Sequence, residues 1–417
     1  MSVAAEGDIL DGPARQPTPR FRARRQAILA SAVEVLNRKG LRGMTLGEVA
    51  GRLDLVPTGV TYYFRDKEAL ASACLLEAIE RHDALIEKAA VQTAPRARVE
   101  GLVRGFFALR QAVAVGEVPG VAAFNELRVV NSAPVNAAYV EMFRGVRRLL
   151  DGPGIVRMTA QHRNARAHLL LSELAWAAVW LREFEAVDHG RAADRAVSIL
   201  SEGLAAPVGP WPAPRALDLS DAGDADADAA SELFLRAATK LINAQGYHGA
   251  SVERISAELK VSKGAFYHHN ETKDELVLAC FQRTFDTVWR AIRAAEAAGG
   301  SALEVLVSLS AALVGCQLRG AAPLLRASAR TTLPESLQPL VMAMFDRLSL
   351  RLASILSDGV ADGSIRAIDV NVGAQLITGL INAAADLQFW TPGLTAEAAT
   401  DHFVRPLFQG LLSEPPP

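Results

Sequence analysis

Residues 27–74 and 233–280 read as two copies of one segment that superimpose without a gap at a shift of 206 positions. Under that shift Ala32, Asn37, Gly40, Gly43, Leu53, Lys67, Leu70, Ala73 and Cys74 fall on Ala238, Asn243, Gly246, Gly249, Leu259, Lys273, Leu276, Ala279 and Cys280. Pairs such as Leu46/Val252 and Val49/Ile255 keep their apolar character in between. A solenoid repeats every few dozen residues, whereas a repeat separated by half the chain means two whole domains. With 417 residues, each can bury its own core. Function then follows from what one copy is built to do.

Both copies carry helical signals. Ile28, Ala32, Val35 and Leu36 follow the spacing of an amphipathic helix, and Phe234, Ala238, Leu241 and Ile242 repeat it. Gly40 and Gly246 are expected to end these helices as C′ residues. Thr45 and Glu48 have the spacing of a capping box ahead of Leu46, Val49 and Leu53. The second copy keeps Ser251 as a cap but has Arg254 in place of the glutamate. A tight turn follows (Asp54 to Val56, Lys260 to Ser262), then a short third helix that Pro57 can open. Lys67 and Lys273 begin a long fourth helix. Three helices with a tight turn before the third make a helix-turn-helix, which sets its third helix in the DNA major groove.

Composition agrees with packed helices: half the residues are hydrophobic and only 6% aromatic. The expected class is all-α. A net charge of −2 says little about partners, but its distribution says more. Residues 20–70 hold ten Lys/Arg against five Asp/Glu, and residues 226–276 hold six against eight. Only the first copy has the field that attracts a phosphate backbone. Cys74, Cys280 and Cys316 are scattered, which argues against a disulfide scaffold or a zinc site and fits a reducing cytoplasm. The first residues lack a signal peptide's basic and apolar regions. No uninterrupted apolar run reaches about 18 residues, so no membrane partner is expected; Glu173 interrupts the best stretch, Leu169 to Leu181.

The expected organisation is a disordered arm at 1–20, a first head at 21–70 and a helical region at 71–204. A Pro- and Asp/Ala-rich linker at 205–229 leads to a second head at 230–276 and a second helical region at 277–414.

Residue for residue, the third helix and following turn resemble the TetR family of transcriptional regulators, whose pattern runs V-S-K-G-T-L-Y-H-H-F-x-S-K-E-x-L. The second copy reads Val261-Ser262-Lys263-Gly264-Ala265-Phe266-Tyr267-His268-His269-Asn270, continuing to Lys273 and Leu276. The first reads Leu55-Val56-Pro57-Thr58-Gly59-Val60-Thr61-Tyr62-Tyr63-Phe64, continuing to Lys67 and Leu70. The resemblance implies two tandem TetR-like domains, each a DNA-binding head on a larger helical region for ligand binding and dimerisation. It implies that Thr45, Thr58, Gly59, Thr61, Tyr62, Tyr63 and Lys67 face DNA. The second set is Ser251, Lys263, Gly264, Ala265, Tyr267, His268, His269 and Lys273. Arg24 and Arg25 suit an arm that reaches a groove, or simply a solvated helix start. Both copies depart from the pattern: Thr61 stands where the family has a phosphate-contacting tyrosine, and Asn270 replaces a core aromatic.

Other readings of these residues are structural. Tyr62, Tyr63 and Phe64 could be core aromatics, and Cys74 and Cys280 packing residues. His268-His269 lack a third metal ligand, and adjacent helix residues point apart. Outside the heads, Ser357 to Arg366 looks like the glycine-rich turn such regulators carry before their last helices, and Trp176, Trp180 and Phe184 form an aromatic stripe. Phe124, Trp176 and Trp180 are candidate walls of an effector pocket, with Glu126 or Arg128 as polar anchor.

The sequence thus points to a regulator, in particular a repressor, of a double-stranded operator, responding to an unidentified small-molecule effector. Its two reading helices differ, so the preferred operator is expected to be asymmetric. The halves would pair within one chain as a pseudo-dimer, or whole chains would pair as a homodimer. The competing class is a helical ligand sensor or adaptor that does not bind DNA. No nucleophile–base pair, metal cluster or phosphate loop stands at a usable spacing, so neither an enzyme nor a cofactor is expected.

Overall fold

The structure, a computed structural model, describes residues 18–153, 155, 158–207, 209–219, 227–249, 252–259, 272–320, 323–333 and 336–414. Among them there is no strand, only an isolated bridge between Ala205 and Ile365.

Helix α1 (Pro19–Gly43) starts earlier than the expected arm allows: Thr18 accepts a hydrogen bond from the Phe21 amide and Pro19 takes the first position. Arg20, Arg22, Arg24 and Arg25 therefore lie on its first turns. Helical geometry breaks at Gly40, whose φ of +65° with ψ of 174° favours glycine, and the helix resumes beyond this kink to Gly43. Helices α2 (Leu46–Gly51) and α3 (Pro57–Thr61) cross beneath it, and α4 (Lys67–Ala90) runs into the body. Ile28, Leu36, Val49, Val60, Leu70 and Cys74 close a small core in the head. The Ser31 hydroxyl donates to the Val49 carbonyl at 3.1 Å and pins α2 to α1. The capping box is only half made. Thr45 caps α2, but the Glu48 carboxylate turns to Arg38 and Lys39, which hold it below the usual carboxylate range.

The first body holds α5 (Pro95–Ala114), the short α6 (Leu127–Val130), α7 (Ala133–Leu149), α8 (Ala160–Trp180) and α9 (His189–Glu202). The second half repeats the plan. Its head contains α10 (Ala227–Gly249) and α11 (Val252–Leu259). Its body contains α12 (Lys273–Ala297), α13 (Ala302–Arg319), α14 (Gln338–Asp362), α15 (Val370–Ala383), α16 (Leu387–Trp390), α17 (Ala396–Ala399) and α18 (Arg405–Gln409). Helix α13 is long and apolar enough to cross a membrane by length and composition. It packs against α12, α14 and α17 and buries Leu306, Leu309 and Leu313, as a core helix does. The glycine-rich turn caps it: Asp362 accepts from the Ala302 amide and Ser364 from that of Leu303.

The two halves pair within the chain. Helices α8 and α9 pack against α15, α16 and the α17–α18 segment. Trp176 Nε1 donates to Gln375 Oε1 at 3.2 Å, Asn164 to the Trp390 carbonyl at 2.9 Å, and Arg166 to the Leu411 and Ser413 carbonyls. Trp390 stacks on Phe143 with ring centroids 3.6 Å apart. Gly203 and Gly410 end α9 and α18 with φ of +80° and +97°. Each chain turn touches the other's helix end: Ala205 N donates to the Phe408 carbonyl and Leu411 N to that of Leu200, both at 2.8 Å. A Cβ at Gly203 would collide with the Phe408 carbonyl, and one at Gly410 with that of Ser201. The linker residues 211–219 run extended along the second half, where Arg215 N donates to Ser308 Oγ at 3.0 Å.

Gly203→Ala is expected to lower the unfolding free energy by well over ~1 kcal/mol, since it adds both a positive-φ penalty and a backbone collision. Urea denaturation reads this directly, and wild-type stability would disprove the close approach. The half-to-half surface also responds to acid. The His162 ring stacks 3.7 Å from that of His402 in the other half. Burial, then the charges of His402 and Arg166, push the His162 pKa down to about 4. An unfolded histidine titrates near ~6.5. Below that pH the unfolded chain takes up a proton that the paired halves refuse, so the stabilisation is whole above about 6.5 and erodes as pH falls towards 4. The melting midpoint should fall across that window, and fall less in His162→Asn.

Candidate nucleic-acid interface

The third helix of the first head stands on a buried base. Val60 and Phe64 face inward, while Thr58, Thr61 and Tyr62 are exposed, Tyr62 at 74%. Tyr63 and Gly59 are half-buried and Thr45 is exposed. The aromatic run is thus divided: Phe64 is core, Tyr62 points outward, and Tyr63 bridges the two. Phe21 packs against Tyr63 with centroids 4.6 Å apart and meets Tyr62 edge-on at 6.1 Å. This cluster ties the start of α1 to the end of α3, so the two elements move together. The Thr61 hydroxyl donates to the Thr58 carbonyl at 3.1 Å. A Cβ on Gly59 would meet nothing closer than Leu55 at 3.7 Å, so the interior does not require glycine there.

The basic residues divide into two sets. Arg38 and Lys39 are held by Glu48, Arg52 by Glu34 and Arg65 by Asp66. Arg20, Arg22, Arg24 and Arg42 are exposed. Arg25 lies over the Phe64 ring, 5.2 Å from its centroid, so its stem packs the head and it is not part of a free arm.

Lys67 departs from the expectation that it faces DNA. Its ammonium donates to the Leu41, Arg42 and Met44 carbonyls at 3.1, 3.4 and 3.5 Å, closing the C-terminal end of α1. Carbonyls at a helix end carry partial negative charge and lack intrahelical partners, which a cation satisfies. Lys273 occupies the equivalent place and is half-buried; burial lowers its pKa. Ser251, Lys263, Gly264, Ala265, Tyr267, His268 and His269 lie outside the described residues.

Of the candidate effector residues, Glu126 and Arg128 line one small cavity together with Asn243 and Arg326 of the other half. Phe124 packs against His82 and Tyr139, with centroids 4.9 and 5.1 Å away. The Glu126 carboxylate accepts from the Leu41 amide at 2.9 Å and lies against Gly40, linking the body to the end of α1. Arg128 pairs with Asp386 of the other half, which also pairs with Arg326 of its own half. Trp176 faces the other half, and Trp180 is buried against Phe107 and Phe184. Trp176 is therefore an interface residue and Trp180 a core residue, while Phe184 lies beyond the end of α8 with extended backbone. Among the described residues no group of three metal-ligating side chains occurs.

Sequence reasoning missed a coupling element. Asn37 Nδ2 donates to the Val121 carbonyl at 2.9 Å and its Oδ1 accepts from the Ala123 amide at 2.8 Å. Asn243 does the same with Leu324 and Arg326, at 2.8 and 3.0 Å. Each head is thus tied through two backbone groups to the loop of its own body. The signal was in the sequence, because Asn37 and Asn243 are identical across the repeat. The thiols behave likewise: Cys74 and Cys280 lie against the Leu29 and Leu235 carbonyls, and burial raises both to about 12. They are packing residues. The heads are also braced crosswise. Helix α1 packs on the second half's 327–332 turn, and α10 packs on α6.

Lys67→Met is expected to destabilise the head by about 1–3 kcal/mol, because three carbonyls lose a charged donor. A thermal melt showing no loss would count against the capping role.

The comparisons with known proteins follow this geometry. Residues 28–74 and 234–280 match the family model described as "Bacterial regulatory proteins, tetR family". An uncharacterised HTH-type transcriptional regulator, YuxN of Bacillus subtilis, is 34% identical over 70 residues, 17% of this chain and 24% of that protein. The transposon Tn10 TetC protein of Escherichia coli is 44% identical over 39 residues, 9% of this chain and 20% of TetC. The chain therefore spans about a quarter or less of these relatives' lengths. Among solved structures, apo AibR aligns at 22% identity and a TM-score of 0.37, over 43% of this chain and 98% of its own. PfmR of Thermus thermophilus, a TetR family transcriptional regulator, aligns at 22% and 0.34 over the same shares. Both family matches fall on the duplicated segment, so the chain carries in tandem two segments that match this family model.

Proposed function

We propose that this chain is a sequence-specific DNA-binding transcriptional regulator, in particular a repressor, whose paired halves act as one pseudo-dimeric unit. The observation that carries the reading is the outward face of α3. Thr58, Thr61 and Tyr62 project from a helix whose other side, Val60 and Phe64, is locked in the core. Polar and aromatic tips on a rigid short helix suit base edges and phosphate oxygens. Thr45, Gly59 and Tyr63 flank them, and Gly59 leaves room for close backbone approach from outside. Arg20, Arg22 and Arg24 lie on the adjoining turns of α1 and serve the phosphates. Lys67, and by the repeat Lys273, are assigned to the fold instead. The second head contributes through Gly264 to Asn270, whose side chains differ from those of Thr58 to Phe64 and make the favoured operator asymmetric.

Effector control enters through the bodies. The Asn37 and Glu126 contacts, and the Asn243 contact in the second half, connect each body to the helix that carries its head. An effector releases DNA if it binds more tightly to the body arrangement that misplaces the heads; couplings of about 1–3 kcal/mol are typical. No catalytic role is assigned.

Fluorescence anisotropy on the DNA upstream of the chain's own gene tests the reading. Tyr62→Ala and Thr58→Ala are expected to weaken binding by roughly tenfold each, about 1.4 kcal/mol. Arg24→Gln should reduce the slope of log K against log salt by about 0.9 if it neutralises one phosphate. Absence of binding to upstream or selected duplexes at low salt would leave the sensor or adaptor reading.

A further inference from the structure

Glu173 is the carboxylate that interrupts the most apolar stretch of the first body, and nothing in the reading of DNA uses it. It is 1% exposed, on the α8 side of the half-to-half surface, and neither oxygen has a hydrogen-bond partner among the described residues. Burial alone raises its pKa well above the usual carboxylate range, so it is held as the neutral acid. Its carboxyl group lies against Gly379 of α15. A Cβ at that glycine would fall 2.8 Å from Glu173 Cδ and 2.9 Å from Oε1, and closer still to Oε2.

The symmetry of the surface shows what this means. Gly203 approaches Phe408 as Gly410 approaches Ser201, and Trp176 contacts Gln375 as His168 contacts Ala383. Both sets of contacts are related by a shift of 207, one more than in the heads. Under that shift Gly379 corresponds to Ser172, and Glu173 to Leu380. If two first halves paired, each Glu173 would meet a serine Cβ where it now meets glycine. Trp176 would meet His168 in place of Gln375. Two second halves would offer the slot no carboxyl at all.

We propose that Glu173 and Gly379 form a pairing-specificity lock: the first half's surface fits the second half of this chain and rejects a second copy of itself. The proposal rests on the pairing of the halves and not on DNA binding, so its test reads stability alone and either idea can fail without the other.

A double-mutant cycle on the full chain tests it, with Gly379→Ser, Glu173→Leu and the two combined, followed by thermal melting. The combined variant copies the Ser172 and Leu380 identities found across the pseudo-twofold axis. In the wild-type background Gly379→Ser should lower the midpoint by roughly 3 °C or more, and in the Glu173→Leu background by less than half as much. If Gly379→Ser yields no folded protein, recovery of folded chain on adding Glu173→Leu supports the lock, and failure to recover it overturns the lock. Equal losses in both backgrounds, or no loss from serine, also overturn it.

Discussion

The structure depends on the burial of one long apolar surface between the two halves. Neither α8–α9 nor α15–α18 could face water as it stands, because each presents large side chains that are satisfied only across the seam: Trp176 by Gln375, Trp390 by Phe143, Arg166 by the Leu411 and Ser413 carbonyls beyond α18. The non-directional drive to remove apolar area from water brings the halves together. Directional bonds at Gly203 and Gly410 then fix the register, since two backbones pass there with no space for a side chain. The bodies determine where the heads stand, because Asn37 and Asn243 transmit the position of each body to its own head.

The heads are held together differently. Each is too small to hold a large core, so its rigidity comes from specific polar contacts: Ser31 on Val49, Lys67 on the α1 carbonyls, Glu48 between Arg38 and Lys39. These contacts occupy much of the positive charge in the first head. What is left outside is the row of arginines at the start of α1 and the polar edge of α3, two neighbouring strips joined by Phe21, Tyr62 and Tyr63. Charge that looked generic in the sequence has a division of labour in space.

The duplication made the heads legible because it filtered chemistry from coincidence. Asn37, Cys74 and Lys67 recur, and Asn37 and Cys74 make the same bond or contact in both halves. Why they recur was less legible. A lysine opening a helix beside the third helix reads as a phosphate contact, and only the position of the α1 carbonyls shows the bonds it makes inside the head. The bodies repeat their architecture with little shared sequence, since an apolar helix face can be built from many residue combinations. For the same reason the stripe Trp176, Trp180 and Phe184 could be placed on a helix face without revealing that Trp176 crosses to the other half while Trp180 stays at home. Glu126 and Arg128, polar residues that suit an effector anchor by type, also hold elements together, Glu126 at the end of α1 and Arg128 across to Asp386.

The covalent passage from Gly203 through Trp211 and Arg215 to the second half has a thermodynamic consequence. Two separate subunits come apart on dilution, and their regulation then varies with how much protein a cell contains. Here each half meets its mate at a local concentration set by the tether, whatever the number of molecules present. A cell holding a single copy would still hold an assembled pair, with two non-identical heads in fixed one-to-one proportion.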